Sequence, residues 1–104
     1  MARVLAIVPD LMLASRVQES LGAAGHEVLV AASIPDSFEA DVLICDLEAV
    51  DTNEAARAGV PTLGFYSHVD VETKRRAEAA GLDLAVPRSR MARELPELVA
   101  GLLG

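Results

Sequence analysis

The sequence predicts a doubly wound α/β domain, and three observations carry that prediction. Short apolar runs alternate with stretches of helical periodicity from one end of the chain to the other. Two of those runs, VLAIVPD and DVLICD, end in an acid, Asp10 and Asp46. In an open parallel sheet the strand C-termini open onto one crevice, so two such carboxylates converge although they lie far apart in sequence. Finally, 104 residues with 52% hydrophobic and 24% charged content supply one core and leave no room for a second, so residues 1–104 are read as a single domain.

Each element has its own signal. Residues 3–8 form a continuous apolar run stopped by Pro9, as expected of a strand buried on both faces. After Asp10, the apolar positions Ala14, Val17, Leu21 and Ala24 follow helical spacing, and Gly25 supplies a left-handed cap. Residues 27–31 are the second strand. The segment AASIPDSFEA that follows is brief for a crossover between parallel strands, which normally takes about a dozen residues with its helix, so a helix of one or two turns is expected there.

Residues 41–46 are the third strand, and a short helix over 52–58 follows, with Asp51 and Glu54 spaced as a capping box. Gly59 and Pro61 end it before a fourth strand over 62–66. Asp70 is an N-cap for the helix VETKRRAEAA, in which Glu72 and Arg76 stand at the favourable four-residue spacing, and Gly81 stops it. Residues 84–86 are the fifth strand, and Ser89 caps a last helix whose apolar line is Met91, Leu95, Leu98 and Leu102. Pro96 lies inside that helix and predicts either a kink or a start nearer Glu94. At this size the flavodoxin-like strand order 2-1-3-4-5 is expected, with its switch point between the strands that carry Asp10 and Asp46.

Composition narrows the function classes. A net charge of −7 repels a phosphate backbone, and 3% aromatic content offers no base-stacking surface, so nucleic acid is excluded as a partner. The lone Cys45 excludes an internal disulfide, and the apolar stretch at the N-terminus is too short for a signal peptide or a membrane span. A cytoplasmic protein with no membrane partner is expected.

Over essentially its full length the chain resembles the receiver domains of two-component response regulators. The resemblance is carried by VPDLMLASRVQESLGAAGHEV, by DVLICD, and by the GVPTLGF and AAGLDLAV segments. In that family the first strand ends in two adjacent acids that hold a divalent cation, the third in the phosphoacceptor Asp, the fourth in Ser or Thr, and the fifth in Lys followed by Pro. The resemblance therefore places Pro9-Asp10 at the acidic pair and Asp46 at the phosphoacceptor. It places Tyr66 or Ser67, depending on register, at the switch hydroxyl, and Arg88-Ser89 at Lys-Pro. It also implies second and third helices shorter than the family's.

The departures have chemical meaning. Phosphoryl transfer to a carboxylate needs positive charge gathered around acceptor and donor oxygens. Pro9 removes one carboxylate, leaving Asp10, Asp46 and the backbone carbonyl of Glu48 to hold magnesium weakly. Arg88 replaces a compact ammonium with a planar fork that can instead pair with Asp46 or Asp10. The resemblance thus implies a degenerate receiver: a module that is not an enzyme and acts by binding a protein, either a histidine kinase or a second copy as a homodimer mate. Its alternative is a phosphorylatable regulator that accepts phosphate on Asp46 with magnesium. A small-molecule binder using the same crevice is a third reading, although no Gly-rich phosphate loop follows the first strand.

Simpler roles compete at each position. Asp10 can cap a helix, Asp46 can start an Asx turn, and Cys45 inside an apolar strand is a small core side chain. His68 reads as a helix-start loop residue, and His26 as an exposed one without zinc-ligand spacing. Output is expected through the face made by the helix after the fourth strand, the fifth strand and the last helix, with Arg75, Arg76, Arg90 and Met91 at the interface.

Overall fold

The computed structural model describes residues 2–67 and 70–104. The chain runs β1 (Arg3–Ile7), α1 (Leu11–Ala23), β2 (Glu27–Ala31), β3 (Val42–Asp46), α2 (Thr52–Ala56), β4 (Thr62–Tyr66), α3 (Val71–Ala80), β5 (Leu84–Pro87) and α4 (Arg88–Leu103). Its five strands form one sheet in the order β2-β1-β3-β4-β5, and every pairing is parallel. The expected sheet and strand order are both present.

The period of two along each strand divides the core into two clusters, one on each face of the sheet. Val4, Ala6, Ile44, Leu63 and Phe65 point toward α1 and α4, where they meet Val17, Leu21, Leu95 and Val99. Leu5, Ile7, Leu43 and Cys45 point the other way, toward α2 and α3. All of β3 and β4 is buried, which is why those strands read as unbroken apolar runs. Gly25 and Gly81 hold φ of 92° and 82°, the left-handed geometry in which a Cβ is strained, and close α1 and α3.

Three local expectations change and one holds. Residues 32–41 contain no helix, so the second crossover is not a shortened helix but an irregular strap. Pro35, Asp36 and Ser37 favour turns, and Ile34, Phe38 and Ala40 pack against the sheet without a helical repeat. α4 begins directly after Pro87, whose φ of −60° and ψ of 149° make it the N-cap, so Ser89 lies within the first turn and does not cap. The Pro96 kink is present, with Glu94 at φ −119° and ψ 18°. Arg76 donates to the Thr73 hydroxyl at 3.0 Å, and among the described residues it forms no ion pair with Glu72.

The α2 that follows the third strand is short, as expected, and Asp51 caps it by accepting from the Asn53 amide at 2.7 Å. Asp70 caps α3 more strongly. The Thr73 hydroxyl donates to one of its oxygens at 2.5 Å and the Thr73 amide to the other at 3.0 Å, which holds the Asp70 carboxyl below its ordinary value. His26 is half-buried and not exposed: its Nδ1 accepts from the Ala2 amide at 3.1 Å, joining the start of β1 to the turn before β2.

Candidate functional site at the mouth of the central strands

The parallel sheet sets Asp46 at the C-terminal end of β3, between the ends of β1 and β4. Its side chain is only 9% exposed, which for a carboxylate demands partners. One oxygen accepts from the Glu48 amide at 2.9 Å, an Asx turn that also fixes the loop after the strand. The other faces the guanidinium of Arg88, with Nη2 at 3.6 Å. That is a single long contact and not a bidentate fork, and it goes to Asp46, not to Asp10. Arg88 also lies over the ring of Phe65, 5.9 Å from its centroid. Phe65 is the residue opposite Asp46 in the β3–β4 register, so the carboxylate and the ring together hold the guanidinium.

Asp10 is exposed and serves as the N-cap of α1: one of its oxygens accepts from the Met12 and Leu13 amides at 3.0 and 3.1 Å. A carboxylate there satisfies free amides and suits the helix dipole. Beside it, Pro9 offers no second carboxylate. Among the described residues no group of three or more His, Cys, Asp or Glu side chains gathers to hold a metal ion. The set Asp10, Asp46 and Glu48 therefore fits magnesium poorly: one carboxylate is turned to its own helix, and the other is engaged by Arg88 and a backbone amide.

Tyr66 and Ser67 take different surroundings, as neighbours on an extended chain must. The ring of Tyr66 is buried in the cluster on the α2 and α3 side, too bulky to stand in for a small inward hydroxyl. Ser67 instead lines a cleft of about 500 Å³ with Leu13, Arg16, Glu48, Arg88 and Ser89. A smaller recess of about 190 Å³ joins Asp10 to the same two arginines. Sequence reasoning missed Arg16 and Phe65 as site residues. Arg16 was legible in principle, because it follows Leu13 by three positions and so lies on the helix face that turns toward the crevice.

Cys45 points away from the cleft into the α2 and α3 side of the core. Burial first, then the charges of Asp46 and Glu54, push its thiol up to about 12, so it has no nucleophilic character near neutral pH. Of the interface residues, Arg75, Arg76 and Arg90 are exposed. Met91 is a correction: it is completely buried beside Leu95 and Val99, because its spacing with those residues defines the inner stripe of α4. It belongs to the core and offers no contact to a partner. His68 lies outside the described residues.

No protein-family model matches the chain, and no curated protein matches it in sequence. Solved structures do match in shape. The signal receiver domain of a response regulator from Bermanella marisrubri superposes with a TM-score of 0.83 at 19% identity, covering 98% of each chain. A CheY-like receiver domain from Methanospirillum hungatei JF-1 gives 0.81 at 20% identity, covering 99% of this chain and 94% of that one. The ChxR receiver domain from Chlamydia trachomatis gives 0.75 at 17% identity, covering 97% and 94%. With the same sheet order and an acid at the mouth of the central strand, the chain has the fold of the response-regulator receiver domains.

Proposed function

We propose that the chain is a receiver-like signalling module that works by binding a protein, with a phosphoacceptor position that no longer supports efficient phosphoryl transfer. The observation that carries this reading is the pairing of Asp46 with Arg88. A carboxylate that attacks a phosphorus atom must be approached by the donor while cations neutralise the donor's oxygens. Here the acceptor's free oxygen faces a guanidinium instead, and the Asp10 carboxylate is used as a helix cap. Magnesium binding is expected to be weak for the same reason. The pair also supplies the acceptor with permanent positive charge, a local neutralisation that needs no ligand.

The outward face of α3, β5 and the first turns of α4 carries the exposed Arg75, Arg76 and Arg90, a charged rim suited to a kinase or to a second copy. One observation favours the phosphorylatable alternative: Ser67 and Arg88 line one cleft, and Arg88 reaches Asp46 beside it. Incubation with acetyl phosphate and magnesium, followed by intact-mass measurement, decides between them. The protein is expected to stay largely unmodified. A stoichiometric mass increase that Asp46→Asn abolishes would establish the alternative.

A further inference from the structure

The missing crossover helix leaves one part of the sheet uncovered. In a doubly wound fold helices cover both faces of every strand. On the α1 side, Val28 and Val30 of β2 are covered in the usual way. On the other side, the strap of residues 32–41 packs Ile34, Phe38 and Ala40 against the cluster that holds Leu5 and Ile7 of β1, with Ala31 at the end of β2, but leaves Leu29 in the middle of β2 open. Leu29 is therefore 65% exposed in the middle of a strand.

Leu29 lines a groove of about 420 Å³ whose apolar lining also includes Leu5, Pro35 and Phe38. It runs into a second hollow of about 600 Å³ bordered by Glu27, Glu39 and Asp41. Among the described residues the one cation there, Arg3, is already spent within the rim. Its guanidinium lies 3.0 Å from Glu39 and 3.8 Å from Glu27, and its amide donates to Asp41 at 2.8 Å. Three carboxylates against one guanidinium leave the rim negative.

We propose that this groove docks an amphipathic helix of a partner protein, seated where the crossover helix is missing, with apolar side chains against Leu29 and Phe38 and lysine or arginine facing Glu27, Glu39 and Asp41. The surface is separate from the output face described above. A helix is the natural occupant, because what lies open is a sheet face that helices cover, and the acidic rim selects basic flanks. No helix of a second copy offers such a stripe: among the described residues, the large exposed apolar residues on this chain's helices are Leu11, Met12, Val71 and Leu103, and no two of them stand three or four apart on one helix.

The test is an NMR titration of the 15N-labelled protein with a designed leucine–lysine peptide carrying one apolar stripe, and with an isomer of the same composition whose stripe is scrambled. The striped peptide is expected to move the amides of residues 27–31 and 34–40 and to bind about tenfold more tightly than its isomer. Leu29→Lys removes that advantage, and Glu39→Lys, an exposed change that spares the fold, weakens binding of the striped peptide. Equal binding of the two peptides, shifts confined to other surfaces, or indifference to both substitutions would overturn the proposal. So would concentration-dependent shifts of the same amides without peptide, which would make a second copy the occupant.

Discussion

Replacing Arg88 and Asp46 singly and together measures the contact on which the reading of the cleft turns. Two unit charges at the observed 3.6 Å attract by about 1 kcal/mol in water and by about 5 kcal/mol at an effective dielectric of 20. Asp46 is nearly buried, but the Arg88 side chain is 44% exposed, so water screens the pair and the lower limit applies. The cycle of Arg88→Ala, Asp46→Asn and the double variant is expected to give a coupling of about 1 kcal/mol that shrinks at high salt. Arg88→Ala alone also gives up the contact with the Phe65 ring, about 0.5–1 kcal/mol that lies outside the coupling because Asp46→Asn leaves it intact. Urea denaturation of the four proteins at low and high salt supplies the numbers. A coupling smaller than about 0.3 kcal/mol at low salt would show that the two groups do not hold one another, and the account of an occupied acceptor would fail.

Gly64→Ala places a Cβ 2.7 Å from methyl carbons of both Leu47 and Leu82; these branched ends must rotate or shift, costing about 1–2 kcal/mol and lowering the melting temperature by roughly 5–15 °C. Scanning calorimetry reads that directly. For Cys45 the folded thiol is raised from 9.0 to about 12, so the unfolded chain releases this proton first as pH rises. The contribution to stability is complete below about pH 9 and falls by about 1.4 kcal/mol per pH unit until the folded value is reached. Urea midpoints from pH 8 to 11 for the parent and Cys45→Ala should diverge accordingly, and parallel curves would contradict it. Charge reversal of Arg75 and Arg90 together should weaken partner binding or self-association in sedimentation while leaving the melting temperature nearly unchanged; if Arg16→Glu alone has that effect instead, the output face is misassigned.

The sheet was legible in the sequence because strands buried on both faces cannot hide: β3 and β4 are apolar at nearly every position, and turn residues mark their ends. The strap at residues 32–41 was not, since a crossover's length suggests a helix while its actual path depends on how Ile34 and Phe38 meet β1, a tertiary matter. Residue type points to Ser89 as the cap, but Pro87 leads from strand to helix without a loop, so the boundary lies two residues earlier. In the cleft, the pairing of Arg88 with an acid followed from residue chemistry. Which acid, and that Phe65 supports it, follows from the register that sets Phe65 opposite Asp46, and register is not written in any one residue. Met91 stands in sequence beside the exposed Arg90, which suggests a surface position, but its spacing with Leu95 and Val99 puts it in the inner stripe.

The break at Glu94 divides α4 into two mechanical parts. Pro96 has no amide hydrogen to give to the turn before it, so the backbone ladder is interrupted where the helix bends. Beyond the break, Leu95, Leu98 and Val99 bolt the helix to the sheet, whereas ahead of it Met91 is the one fully buried side chain, joined only by the partly exposed Arg88 against Asp46 and Phe65. A continuous rod would transmit any displacement of Arg88 to the C-terminal end of the helix. A jointed one confines it to the leading turns, so Arg90 can change its bearing while the hydrophobic stripe behind it stays seated.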